Sequence, residues 1–354
     1  MKIGIITDII RDDSTGIGIY SKYLIEALVK RYKGSEFYFI DYEKNDFNRK
    51  SLLLIENHSK RFFKTIVWHN ILPKKVAKVK FDYILNMIGC PHFYPYTQKE
   101  IIFVYDLSIL LFPHTHPLSG VIYNRMLFKK TIENCHKIIT ISENSKRELM
   151  GNYNISDKKI EIIFPTIPKP LKRENISERP INDRYILYIG TIETRKNITS
   201  LLKAFYQLKK GNNYSHKLVI GGKKGVGCSD IFKLTKELKL ENMVIFTGYI
   251  TENEKVCLYQ HADLFVYPSI YEGFGMPPLE AMSYGCPVIT SNTSSLPEVV
   301  GEAGIKIDPY DVNNLYLAMK RVLDKKTLRK QMIKRGYQQV KKFFSPSNLD
   351  QLFT

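Results

Sequence analysis

The sequence predicts an α/β protein built as two parallel-sheet domains, and three observations carry that prediction. Short apolar, strand-like runs alternate with helical periodicity along almost the whole chain, the pattern of parallel strands covered by helices. The alternation is interrupted once, at 165–183 (PTIPKPLKRENISERPIND), where four prolines and many charges leave no periodicity, and it then restarts. The length of 354 residues suits two cores better than one.

In the first half, strands are expected at 2–7, 36–41, 82–86, 100–106, 137–142 and 160–164. A helix from about Tyr20 to Tyr32, with the apolar stripe Tyr23, Leu24, Ala27 and Leu28, separates the first two. In the second half, strands are expected at 185–190, 217–221, 243–247, 263–268, 286–290 and 304–308, and two helices and a short tail follow Asp311. The domains are set at 1–168 and 184–338, with 169–183 as linker and 339–354 as a tail that packs back on the first domain.

Composition narrows the function. With 44% hydrophobic and 25% charged residues the chain is globular. A net charge of +18 fits an anionic partner: nucleic acid, a phosphate-bearing substrate or an acidic membrane surface. No helix-turn-helix, zinc finger or aromatic RNA-binding pattern occurs, so nucleic acid is not the expected partner. The five cysteines are scattered without CxxC spacing, which points to reduced thiols and no zinc site. No apolar run reaches the roughly 18 residues of a membrane span. The opening KIGIITDII reads as a buried strand rather than a signal peptide, and a cytoplasmic location follows as an expectation.

The most specific segment is DLFVYPSIYEGFGMPPLEAMSYGCPVITSNTSSLPEVVGE, 263–302. A strand ends at Pro268, a loop of Glu272, Gly273, Phe274 and Gly275 follows, and Met276 leads into two prolines that open a helix. Backbone N–H groups at a helix start beyond the carboxyl end of a strand suit a phosphate. Glu272 and Glu280, eight apart, offer carboxylates for sugar hydroxyls. A second segment, YIGTIETRKNITSLLKAF (188–205), ends a strand at Gly190 and sets Arg195 and Lys196 before a helix with the apolar stripe Ile198, Leu201, Leu202 and Phe205. Two cations beside a helix start are a site for an anion.

The spacing of Glu272-GFGMPPL-Glu280 resembles the signature of glycosyltransferase family 4, the retaining enzymes of the GT-B fold. The resemblance is strong over 185–308 and looser elsewhere. It implies two Rossmann-like, doubly wound domains facing a cleft, the first binding the acceptor and the second the nucleotide sugar. It also implies that Glu272 contacts the donor sugar and Glu280 the ribose, and that Gly275 and Met276 supply backbone donors. Arg195 and Lys196 correspond to the family's diphosphate-binding pair. Tyr249 and Ile250, in FTGYI at 246–250, correspond to the segment beside the nucleotide base, and GGKKGVG (221–227) is a flexible loop near it. In the first domain, Gly16 and Gly18 match the glycine loop bordering the donor phosphates. Asp106 lies in VYDLSILLFPHTHP, where Tyr105 stands in place of the family's histidine. His114 and His116 read as loop residues, and the Ser142–Ser145 region as a helix cap.

No Asp-x-Asp occurs, so the expected chemistry needs no metal and no other cofactor: Arg195, Lys196 and helix starts stabilise a nucleoside diphosphate leaving group. The expected reaction moves a hexose from a nucleotide sugar to a glycan or lipid-linked glycan, with retention. The rivals are a non-hydrolysing sugar-nucleotide epimerase, which reacts without an acceptor, and, more remotely, a nucleic-acid-binding protein. Residues 57–80 hold seven Lys/Arg and no acid, with Trp68 and helically spaced Phe63, Val67 and Ile71 ahead of Pro73, which is expected to break the helix. This stretch is the expected contact with an anionic membrane surface, at the inner face of the cytoplasmic membrane.

Overall fold

The computed structural model describes residues 1–7, 16–41, 52–54, 71–96, 99–167, 181–211, 214–346 and 348–353. The chain divides into two compact units, Met1–Thr166 with Pro346–Thr354, and Ile167–Ser345.

The first unit is built on strands β1 (Lys2–Ile6), β2 (Glu36–Asp41), β3 (Leu52–Leu54), β4 (Tyr83–Asn86), β5 (Lys99–Val104), β6 (Lys137–Thr140) and β7 (Ile160–Ile162). All pair in parallel in the order β3-β2-β1-β4-β5-β6-β7. β4 and β6 are buried at every residue, which is why their apolar residues, Tyr83 to Leu85 and Ile138 with Ile139, are consecutive rather than alternating. The helix Gly16–Arg31 buries Tyr20, Leu24, Ile25 and Leu28; of the expected stripe Leu24 and Leu28 face inward, while Ala27 is half-buried and Tyr23 is exposed, so the inner face is turned toward Tyr20 and Ile25. Ser142 caps the helix Glu143–Tyr153 by accepting from the Ser145 amide at 3.1 Å, as the sequence indicates.

The second unit carries β8 (Tyr185–Ile189), β9 (Lys217–Gly221), β10 (Val244–Gly248), β11 (Leu264–Tyr267), β12 (Val288–Ser291) and β13 (Ile305–Ile307), again all parallel, in the order β10-β9-β8-β11-β12-β13. The helix Ile198–Lys210 covers this sheet with Ile198, Leu201, Leu202, Phe205 and Leu208, each contributing about 1.5–3 kcal/mol by burial. Two helices, Val312–Asp324 and Lys326–Val340, close the unit.

Several expectations need adjustment. β3 was not foreseen. The crossing out of the second unit comes at Ser345/Pro346 rather than at 338/339, because the last helix runs on to Val340 and Phe343 stacks edge-on against Phe274 at 5.5 Å. The final segment belongs to the first unit: Arg31 pairs with Asp350 at 2.8 Å, Tyr32 and Tyr83 donate to the carbonyls of Leu349 and Phe353, and Lys137 donates to that of Gln351. Most of the expected linker, 169–180 of 169–183, lies outside the described residues. Residues 57–70 of the basic stretch also lie outside them. Pro73 does not end the helix there: 71–76 are helical, and the Pro73 carbonyl still serves as an acceptor, from the Ala77 amide at 2.9 Å. Leu72 and Val76 on that helix are fully buried beside Ile6, Ile40 and Ile84, while Lys74, Lys75, Lys78 and Lys80 are exposed.

Candidate functional site

In the second sheet the chain runs outward from β8 to β9 and β10 on one side, then returns to place β11, β12 and β13 on the other. The carboxyl ends of β8 and β11 therefore flank the point where the order reverses, which in open parallel sheets is where ligands bind. Arg195 and Lys196 come from the loop after β8, and Glu272 from the loop after β11.

Local chemistry holds the two loops together. A short 3-10 turn, Thr194–Lys196, ends in Asn197, whose left-handed backbone (φ 56°) asparagine tolerates better than most residues. The buried Asn197 side chain donates to the carbonyls of Pro268 at 3.1 Å and Pro309 at 2.6 Å, tying the turn to the end of β11. The Arg195 carbonyl accepts from the Ile270 amide at 3.0 Å and from the Ser269 hydroxyl at 3.3 Å. Three hydroxyls beyond β12 fix the Glu272 loop. Thr293 donates to the Ile270 carbonyl at 2.9 Å, Ser294 accepts from the Glu272 amide at 3.0 Å, and Ser295 donates to the carbonyls of Glu272 (2.8 Å) and Phe274 (2.6 Å).

Onto this frame the charges converge. Lys196 Nζ lies 2.6 Å from Glu272 Oε1 and donates to Tyr267 Oη at 3.2 Å. Arg195 reaches Glu272 Oε2 at 3.6 Å, donates to Glu193 Oε1 at 2.8 Å and to the Tyr271 carbonyl at 2.6 Å. Burial alone pushes the Glu272 carboxyl up, but Lys196 and Arg195 overcome it and hold the group below its ordinary value. Two cations and the carboxylates of Glu193 and Glu272 thus balance one another. Burial raises the Tyr267 and Tyr188 phenols far above their ordinary range, so neither exchanges protons near neutrality.

Glu280 has other partners: Lys255 at 3.0 Å and the Tyr259 hydroxyl at 3.1 Å, both from the helix Glu252–His261. Burial raises the Glu280 carboxyl, with Lys255 and Tyr259 pulling against it, while Lys255, which burial would lower, is held up by Glu280 and Glu252. The helix Met276–Ser283 starts at Gly275, whose φ of 122° and closeness to Leu296 Cδ2, 2.8 Å from an added Cβ, leave room for glycine alone. Pro277 and Pro278 carry no N–H, so any backbone donor at this helix start comes from Gly273 to Met276. Phe274 offers only its backbone, since its ring is buried against Phe343.

The glycine loop after β9 lies along the loop after β8. Gly225 N–H donates to the Ile192 carbonyl at 2.9 Å and Ile192 N–H to that of Lys223 at 2.8 Å, and a Cβ on Gly222 would collide with the Gly190 carbonyl. Ile250 packs onto Gly221, and Tyr249 is exposed with Lys223 Nζ 4.9 Å above its ring.

The remaining sequence candidates belong to the first unit. Gly16 and Gly18 open the helix Gly16–Arg31. The half-buried Asp106 accepts from the Ser108 amide at 2.7 Å. Tyr105, at the family's histidine position, is buried: its hydroxyl donates to the Met87 carbonyl at 2.6 Å and lies 3.0 Å from Ser21 Oγ. It is a core residue here. Glu193, Tyr267, Ser294, Lys255 and Tyr259 were not foreseen as site residues. Their types are common, and only their spatial partners mark them.

The family model for glycosyl transferases group 1 matches residues 172–339. O-antigen chain mannosyltransferase B of Escherichia coli is 31% identical over 377 aligned residues, covering 97% of this chain and 96% of the relative. The chain belongs to the glycosyl transferases group 1. This glycosyltransferase is also 29% identical, over 76% of its length and 74% of the relative, to O-antigen chain mannosyltransferase RfbU of Salmonella typhimurium. Solved structures share its fold: sucrose-phosphate synthase of Thermosynechococcus elongatus with a TM-score of 0.74 at 19% identity, covering 100% of this chain and 96% of that one. WaaG, a glycosyltransferase involved in lipopolysaccharide biosynthesis, has a TM-score of 0.71 at 14% identity, with coverage of 96% and 95%. The fold is GT-B and the family type is glycosyltransferase family 4.

Proposed function

We propose that this glycosyltransferase moves a hexose, mannose, from a nucleoside diphosphate donor to a glycan or lipid-linked glycan acceptor, with retention and without a metal ion. The observation that carries the reading is the Arg195–Lys196 pair held by Glu272 between the carboxyl ends of β8 and β11. Two O-antigen relatives named as mannosyltransferases support the choice of sugar and the class of acceptor.

In this mechanism the donor diphosphate meets Arg195 and Lys196 already positioned, so the negative charge growing on the leaving phosphate is stabilised without rearrangement. The leaving group needs no proton from an acid. The acceptor oxygen approaches the anomeric carbon from the face the diphosphate leaves, and its proton passes to the departing phosphate oxygen. Glu272, freed in part from Lys196, faces the positively charged sugar, and Glu280 faces the ribose. A lipid-linked acceptor sets the reaction at a membrane surface.

The test is transfer from an α-linked nucleoside diphosphate mannose to a lipid-linked glycan, with the product linkage read by NMR. An α-linked product is expected, and a β-linked product would refute retention. Epimerisation of the nucleotide sugar with no acceptor present would instead favour the epimerase.

A further inference from the structure

The helix Leu118–Asn134 of the first unit is apolar on two sides. Its inner side, Val121, Leu127, Phe128 and Ile132, is buried, with Phe128 and Ile132 packed in one core cluster with Ile102 and Ile138. Its outer side is not accounted for by that core. Leu118, Ile122 and Met126 follow at intervals of four, forming one line along the helix, and are 73%, 50% and 66% exposed. Arg125, Lys129 and Lys130, all exposed, rim the line, and Glu133 lies 3.8 Å from Lys129 at its end.

The patch continues into neighbouring segments. The Tyr123 hydroxyl donates to the Pro91 carbonyl at 2.7 Å, and the exposed Phe93 stacks edge-on to Tyr123 at 6.4 Å. Beside it the exposed Tyr94 carries Lys74 Nζ 4.0 Å above its ring, and Lys75 and Lys78 follow. Large apolar side chains standing in solvent within a rim of cations have the make-up of an interfacial helix on an acidic lipid surface. A second copy of the chain fits poorly, since a two-fold contact through this face would bring Arg125, Lys129 and Lys130 against their own counterparts.

We propose that this face, Leu118, Ile122 and Met126 with their basic rim, docks the enzyme on an anionic bilayer. The proposal rests on the reading of a lipid-linked acceptor, and it adds a second contact to the one expected at 57–80, where Leu72 and Val76 are core and Ile71 is exposed.

The test is co-sedimentation of the full chain with phosphatidylglycerol-containing vesicles and with pure phosphatidylcholine vesicles, at low and high salt. Two variants accompany the wild type: Leu118→Gln with Ile122→Gln and Met126→Gln, and Arg125→Gln with Lys129→Gln and Lys130→Gln. Since these side chains are exposed, both should keep the wild-type melting temperature and its rise with nucleoside diphosphate. The wild type is expected on the anionic vesicles alone. Loss of three cations should weaken binding on the order of 100-fold at low salt, and loss of the apolar line should abolish it at either salt. Wild-type protein that ignores anionic vesicles, or variants that bind as it does, would overturn the proposal. So would a dimer, seen by sedimentation velocity, that the apolar variant dissociates, because a second copy would then own the face. Transfer to a water-soluble acceptor fragment is measured in parallel: transfer without vesicle binding refutes docking alone, while docking without transfer refutes the proposed reaction alone.

Discussion

Glu272→Gln should move three measurements in directions that no merely structural loss would combine. In the ligand-free enzyme the carboxylate is the counter-ion of Lys196 at 2.6 Å, with both groups buried. Glutamine keeps the shape and an acceptor oxygen but removes the charge, leaving the buried ammonium with neutral acceptors alone there, the amide oxygen and the Tyr267 hydroxyl at 3.2 Å. Breaking a buried pair from one side costs about 3–5 kcal/mol, and at about 2–4 °C per kcal/mol the second unit should melt roughly 10 °C lower. A nucleoside diphosphate should then bind more tightly, not less. Between unit charges about 5 Å apart at an effective dielectric constant of about 20, the repulsion removed is about 3 kcal/mol, so a gain of roughly tenfold falls well inside that bound. Turnover should nonetheless fall by roughly 100-fold or more, since the group facing the cationic sugar is gone. Scanning calorimetry with and without nucleoside diphosphate, titration calorimetry and initial rates give the three numbers. A variant that melts with the wild type, or binds the diphosphate no better, would refute the counter-ion role. One with normal turnover would refute the donor-sugar role.

Because Glu272 is held below the ordinary carboxylate value of 4.5, its contribution to stability is full above that pH and is lost as pH falls through the lower folded value. The melting gap between wild type and Glu272→Gln should stay constant from pH 8 to about 5 and close below about 4.5; a gap that widens in acid contradicts the assignment. Arg195→Ala combined with Lys196→Ala should abolish both nucleoside diphosphate binding and transfer, and unchanged affinity would move the diphosphate site elsewhere. A saturating chelator should leave the transfer rate intact, whereas loss restored by magnesium or manganese would show a metal requirement. Tyr105→Phe removes a buried hydroxyl that serves Met87 and Ser21, so about 1–2 kcal/mol of stability should go, while turnover stays within a few-fold; a collapse of turnover at normal stability would restore a catalytic role at that position.

What was legible in the sequence follows physical range. Every expected strand is present, and those buried on both faces are the plainest because they write themselves as continuous apolar runs: YILYI at β8, LFVY at β11. The three-residue LLL of β3 is too short to stand out from its surroundings. Glu272, Gly275 and Glu280 were readable because glycine, proline and glutamate at fixed short spacing form a local motif. Ser294 was not, since its meaning lies in the Glu272 amide, a contact set by the meeting of separate loops, and Glu193, though only two residues from Arg195, is marked only by the turn that brings the two side chains together. Pro73 was misjudged by type, since a proline remains an acceptor within a helix. Tyr105 was left without a role, and the fold turns its ring inward.

The return of Pro346–Thr354 to the first unit has a consequence for biosynthesis. Those residues hold Tyr32, Tyr83 and Lys137, yet the ribosome makes them only after all of Ile167–Ser345. At about 5–20 residues per second, the first sheet spends roughly 10–40 s without this last piece. The second unit, continuous in the chain, needs no such wait, so the part of the protein that emerges first is the part finished last.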